Sequence, residues 1–323
     1  MGAIRKILVG VKVPDRAGGR AVVKAARLAQ ALGARLELFH ALDHPLPLDP
    51  MLPDGLSMSG AKRELRAAAL AKLDKVAARL RTKGLQVDIG AEWDYPAWEA
   101  LIRQARRSRA DLIVAERHAG SHAGAWLMHY TDWELLRQSP LPVYLVGGSG
   151  RLSAPRILAA VDPLHAHDKS AELDARIIGL SRQVAAALGG RVELLHAYEP
   201  PIPIVGTTIG AVVVAQRQDD SEARARDRLF KLATQHGIAK ESCLLAPGPP
   251  ALVIPSVARQ RRCAIVAMGA VSRSGLKRVF IGNTAEQVLA RLSTDLLIVK
   301  PKTFRDRLPR ANRGVRVLLP PPM

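Results

Sequence analysis

Short unbroken apolar runs alternate along the chain with longer stretches in which apolar residues recur at helical spacing. Ile7-Leu8-Val9, Leu112-Ile113-Val114-Ala115, Ile157-Leu158-Ala159-Ala160 and Ala264-Ile265-Val266-Ala267-Met268 lack polar alternation. Such runs mark strands buried on both faces of a parallel sheet. Between them, Leu65, Ala69, Leu73, Val76 and Leu80 place one apolar stripe on a helix. Leu173, Ile177, Leu180, Val184 and Leu188 do the same later. The alternation predicts β-α-β-α-β-α-β-α-β units, an α/β fold with a doubly wound, Rossmann-like parallel sheet.

The pattern is written twice. Arg5-Lys6-Ile7-Leu8-Val9-Gly10-Val11-Lys12 lines up with Pro155-Arg156-Ile157-Leu158-Ala159-Ala160-Val161-Asp162. Ala34-Arg35-Leu36-Glu37-Leu38-Phe39-His40-Ala41 matches Gly190-Arg191-Val192-Glu193-Leu194-Leu195-His196-Ala197. Two further strand matches follow in the same order, which implies an internal duplication. The expected organisation is a first domain at 1–148, a second at 154–301, and a basic tail at 302–323, expected to be mobile. Gly147-Gly148-Ser149-Gly150 has the composition of a flexible linker. Pro-rich stretches around 45–53 and 200–203 read as surface excursions, and Ile209, Val212, Val213 and Val214 as a lid or an apolar contact.

At 323 residues the chain can build two cores. No apolar run is long enough to span a bilayer, and the start of the chain carries no signal for cleavage or myristoylation, so a cytoplasmic protein is expected. Two cysteines, Cys243 and Cys263, without a CxxC spacing fit a reducing compartment and read as core residues. A net charge of +19 favours polyanionic partners, or records only arginines on solvated helix faces. Aromatic residues make up 4% and do not interleave with basic ones, which argues against a base-stacking surface and specific nucleic-acid binding.

The candidate chemistry lies at the strand ends of the second copy. After the run ending at Met268 come Gly269, Ser272, Arg273, Gly275, Lys277, Arg278 and Gly282-Asn283-Thr284, then a helical run. Small residues let backbone approach a ligand, and the open N–H groups of a helix start favour an anion such as phosphate. Asp162-Pro163 ends the first strand, where the carboxylate can accept from a ribose or an adenine amino group, or simply cap a turn. The first copy departs from this pattern. Lys12 replaces Asp162, and His129-Tyr130 stand for Gly282-Asn283, so bulky rings are expected to fill the phosphate space. Trp133 reads as a packing residue. His40 and His196 read as structural residues. His118, His122 and His129, like His165 and His167, lack the partners of a metal site, and no metal is expected. No nucleophile elbow occurs.

Val161-Asp162, then Met268-Gly269 through Arg273-Ser274-Gly275-Leu276-Lys277-Arg278, and Gly282-Asn283-Thr284-Ala285-Glu286-Gln287-Val288-Leu289 resemble the universal stress protein family. The resemblance covers almost the whole chain, once per half. Together with Thr131-Asp132-Trp133-Glu134-Leu135-Leu136-Arg137, it looks most like the tandem E-type members. ATP-binding members carry Gly-x2-Gly-x9-Gly-(Ser/Thr). Here Gly269 and Gly282 match, Ser272 stands for the second glycine, and Asn283 replaces the hydroxyl residue. The resemblance implies a non-enzymatic stress-response or signalling protein that needs no cofactor and binds ATP or a related adenine nucleotide in its second domain. Asp162, Pro163, Gly269, Ser272, Arg273, Gly275, Gly282, Asn283 and Thr284 would form the site. It also implies close packing of the two halves on each other and allows a homodimer. The rival readings are a slow ATPase and an interaction protein with a degenerate pocket, which binds no nucleotide or an anionic lipid-like ligand.

Overall fold

The computed structural model describes residues 2–14, 19–47, 58–117, 131–150, 152–164, 171–200, 208–270, 283–306, 308–315 and 317–318. The chain forms two compact units, one of Gly2–Val146 with the residues from Arg305 onward, the other of Gly147–Phe304.

The first unit runs β1 (Lys6–Gly10), α1 (Arg20–Leu32), β2 (Arg35–Leu42), β3 (Leu46–Pro47), α2 (Met58–Arg81), β4 (Val87–Trp93), α3 (Ala97–Arg107), β5 (Leu112–Glu116), α4 (Thr131–Gln138) and β6 (Val143–Val146). Its main sheet has the order β4-β2-β1-β5-β6, with every pairing parallel. Ile7, Leu8, Val9, Leu112, Ile113 and Val114 are fully buried, as unbroken apolar strands between two helical layers must be.

The second unit runs β7 (Arg156–Ala160), α5 (Ala171–Ala187), β8 (Arg191–Tyr198), α6 (Thr208–Gln235), β9 (Cys243–Pro247), α7 (Pro250–Gln260), β10 (Ile265–Gly269), α8 (Asn283–Arg291) and β11 (Asp295–Val299). Its parallel sheet has the order β9-β8-β7-β10-β11. In both sheets the chain builds outward from the first strand in one direction and then returns to its other side. The reversal falls between β1 and β5, and between β7 and β10.

The helical stripe of α5 packs as expected, with Leu173, Ile177, Leu180, Val184 and Leu188 all buried. In α2, Ala69, Leu73 and Val76 are buried but Leu65 is exposed, so the stripe meets the sheet only along part of the helix. Ile209, Val212, Val213 and Val214 belong to α6, not to a loop. The helix starts at Thr208, early enough to take in the whole apolar run.

The expectation of a mobile tail is also corrected. A two-residue strand, β12 (Val317–Leu318), pairs in parallel with β3, Val317 opposite Leu46. Asp306 forms an ion pair with Arg106, and Arg313 with Glu99. Composition suggested mobility because it could not show the charges that receive the segment, Arg106 for Asp306 and Glu99 for Arg313. The linker composition misleads in a similar way, since the N–H groups of Gly147 and Gly148 donate to Oδ1 of buried Asp295 at 3.0 and 2.8 Å. Among the described residues, no helix is long and apolar enough to cross a membrane.

Candidate functional site

In the second unit β7 and β10 are adjacent, with Ile157 opposite Ile265 and Ala160 opposite Met268. Their carboxyl ends continue into Val161-Asp162-Pro163 and Gly269-Ala270, so acid and glycine emerge side by side where the strand order reverses. Open α/β sheets leave a ligand crevice at that point.

The turn carrying Asp162 is held from two directions. Nδ1 of buried His196 donates to the carbonyl of Val161 at 3.2 Å. A carbonyl can only accept, so the proton must sit on that nitrogen. The Asp162 N–H lies 3.2 and 3.1 Å from the two carboxylate oxygens of Asp174, in the first turn of α5. Asp162 itself is buried. Pro163 follows it in the turn and is half-buried. Thr284 is half-buried in the first turn of α8, which Asn283 opens.

Gly269 has a reason to be glycine that involves no ligand. A Cβ there would stand 2.6 Å from Cδ2 of Leu173 and 3.3 Å from Cδ1 of Ile177. The glycine therefore lets α5 close on the end of β10. Ser272, Arg273, Gly275 and Gly282 lie outside the described residues, as do Lys277, Arg278 and His118, His122, His129, His165 and His167.

Two polar residues near the strand ends escaped the sequence reading. Asp174 is buried, as is Lys300, whose ammonium lies 4.8 Å from the centre of the Phe304 ring. Asp174 sits among Glu172 and Arg176 in a charged helix start, so no local signal marks it, whereas Lys300 directly ends the apolar run Leu296–Val299.

The first unit repeats the scaffold and changes the charges. Nδ1 of His40 donates to the carbonyl of Val11 at 2.8 Å, the counterpart of the His196 contact. Burial pushes the His40 pKa down, against the pull of that bond. Lys12 stands where Asp162 stands in the second unit. Burial lowers the pKa of its ammonium, while Asp132 and Glu116 oppose the shift. Glu116 occupies the position of Gly269 and accepts from Nε of Arg20 at 3.0 Å. A cavity of about 210 Å³ lies here. Asp43, Glu116 and Asp132 line it against Lys12, with Phe39 and Leu101 on its apolar side. His129 and Tyr130, expected to plug this space, lie outside the described residues. Trp133 is half-buried in the first turn of α4.

Among the described residues, no group of three or more His, Cys, Asp or Glu side chains could hold a metal ion. Burial raises the pKa of both thiols, and Cys263 is buried while Cys243 is only half-buried.

Comparison with known proteins agrees with the duplication. The model of the universal stress protein family matches residues 3–147 and again 154–300. Universal stress protein E of Escherichia coli is 27% identical over 90% of this chain and 93% of its own. A functionally unknown protein from Pseudomonas aeruginosa has a solved structure with a TM-score of 0.70 at 25% identity, covering 93% of this chain and 94% of that one. A second structure from that species, a putative universal stress protein, gives a TM-score of 0.69 at 25% identity over the same shares.

Proposed function

The chain belongs to the universal stress protein family, with one family domain in each half, and on that premise we propose that its second domain binds an adenine nucleotide, ATP or a relative. The protein then acts in a stress response through that binding, without depending on turnover. Localisation in the cytoplasm belongs to the same reading. The observation that carries it is the placement of Asp162, buried at the carboxyl end of β7 beside the end of β10, at the strand-order reversal. The His196 and Asp174 contacts fix the backbone that carries this carboxylate before any ligand arrives. The carboxylate is suited to accept from ribose hydroxyls or an adenine amino group. The loop after β10 and the start of α8, with Ser272, Arg273, Gly275, Gly282, Asn283 and Thr284, would then receive the phosphates. The first domain has the opposite bias at the same place. Three carboxylates around its cavity disfavour a polyphosphate, so one nucleotide per chain is expected.

A second reading draws on Gly269. Its small size is explained by Leu173 and Ile177 alone, which fits a degenerate pocket that takes no nucleotide and serves an interaction or an anionic lipid-like ligand. Native mass spectrometry of the purified chain with added ATP separates the two readings. One retained nucleotide per chain supports the first, and an unchanged mass at millimolar ATP supports the second.

A further inference from the structure

At the opposite end of the second sheet from Asp162, the amino ends of β7 and β8 and the turn after α7 enclose an open hollow of about 560 Å³. Arg156 opens β7 and Arg191 opens β8, paired in register. Arg261 caps α7, and Arg262 follows it in a left-handed conformation with φ of 51°. All four line the hollow. We propose that this hollow is a binding site for a small anion carrying several phosphoryl groups, an oligophosphate by chemical class, held by Arg156, Arg191, Arg261 and Arg262.

One buried carboxylate organises the cluster. Glu193 takes Nε and Nη2 of Arg261 at 3.0 and 3.2 Å, and lies 3.3 Å from Nε of Arg156 and 3.7 Å from Nε of Arg191. Four guanidiniums against one carboxylate leave three positive charges (4 − 1 = 3) around one concavity. Like charges gathered in this way are unfavourable without a counter-anion, and the excess calls for a multiply charged one. Guanidinium forks match phosphate oxygens, and the anchoring of Arg156, Arg191 and Arg261 on Glu193 lowers the ordering cost of binding. Convergence within one hollow suits phosphoryl groups on one small molecule, whereas a nucleic-acid backbone spreads its charges along a line. Among the described residues, no aromatic one lines the hollow to stack a base.

The duplication supplies an internal comparison. At the same end of the first sheet, Glu37 accepts from Lys6 at 2.9 Å and Asp88 lies 3.6 Å from that ammonium. Asp111 accepts from the N–H groups of Arg5 and Lys6 at 2.8 and 3.0 Å. In the second unit Glu193 is the carboxylate that meets the guanidiniums, while Asp295 at the amino end of β11 is taken by the N–H groups of Gly147 and Gly148. Ala264 replaces Asp111, and Arg261 replaces Ser108. Beside the guanidiniums the second copy has lost the acid at Asp111 and gained a guanidinium at Arg261, while the acid it adds at Asp295, for Pro142, is occupied by backbone N–H groups.

The test is calorimetric titration of the full chain with inorganic tripolyphosphate at about 0.15 M salt, where weak surface attraction is screened. It is repeated on the double variant R191Q/R262N. Asparagine tolerates the left-handed backbone at 262, and Arg156 and Arg261 keep Glu193 paired. The expected result is saturable binding by the wild type, weakened at least about tenfold in the variant with an unchanged melting temperature. Orthophosphate should bind far more weakly than tripolyphosphate. Equal affinity of the two proteins for tripolyphosphate would overturn the proposal. Binding of long RNA without any binding of tripolyphosphate would overturn it as well, in favour of a general polyanion surface.

Discussion

Arg313 grips Glu99 with two nitrogens, Nε at 2.9 Å and Nη2 at 2.7 Å, across 214 positions of chain. Its backbone N–H donates to Oδ1 of Asp94 at 2.9 Å. Arg103 meets the same two acids from inside, with Asp94 at 2.7 Å and Glu99 at 2.8 Å. Asp94, Glu99 and Arg103 are all buried, so one internal arginine faces two buried carboxylates. The C-terminal segment supplies the balancing charge.

Arg313→Ala should therefore destabilise the first domain. Breaking a buried ion pair costs about 3–5 kcal/mol, but Arg313 is 46% exposed and solvent screens part of this. A loss of about 1–2 kcal/mol in urea unfolding is expected. Arg103→Ala should reach the full range. A chain ended after Phe304 should match or exceed the Arg313→Ala loss. Unchanged stability in that truncated chain would mean that the docked segment contributes nothing.

The depressed pKa of His40 sets a pH dependence. Its folded pKa lies below the ordinary value near 6.5, so below that pH the unfolded chain takes up a proton that the folded one refuses. Stability from this group is complete above about pH 6.5 and is lost as pH falls toward the lowered value. Melting temperatures at pH 7.5 and 5.5 should fall further in the wild type than in His40→Gln. An equal fall would remove His40 as a cause.

Cys263 should resist thiol reagents. Burial, reinforced by Glu193, pushes its pKa up to about 11. At pH 8 the native thiol is almost wholly protonated and enclosed, and the thiolate is the reactive form. An aromatic disulfide reagent should leave it unmodified in the native protein and label it fully in guanidinium chloride. Native labelling would show that this end of the second domain opens readily.

Asp295→Ala should loosen the segment that follows β6. It would strip the acceptor from the N–H groups of Gly147 and Gly148, at a cost of about 1–3 kcal/mol. Faster amide exchange at Gly147 and Gly148 is the specific readout. Protection equal to the wild type would show that these amides have another anchor.

The strands and the duplication were legible because a two-sided sheet demands unbroken apolar runs, and because Ile7 and Ile157 recur in equivalent registers. The charge reversal between Lys12 and Asp162 could be read from that alignment alone. Leu65 misled because helical period alone cannot tell how far a helix overlaps its sheet. The docking of Arg313 was hidden by distance along the chain, and nothing local at 313 points to Asp94 or Glu99. Gly269 matched a ligand motif, yet its neighbours Leu173 and Ile177 come from another element that no local motif includes. The arginine hollow was invisible for the same reason. Its members come from three separate segments and meet only when β7, β8 and the end of α7 align.

The most direct test of nucleotide binding is calorimetry with ATP on the wild type and on Asp162→Lys, with melting curves to confirm that both are folded. The wild type should bind one ATP per chain, and the variant, given the first domain's charge at that place, should lose at least about tenfold in affinity. Equal heats from the two proteins, measured with both carrying R191Q/R262N so that the arginine hollow does not contribute, would contradict the assignment of the site to Asp162 and the second domain.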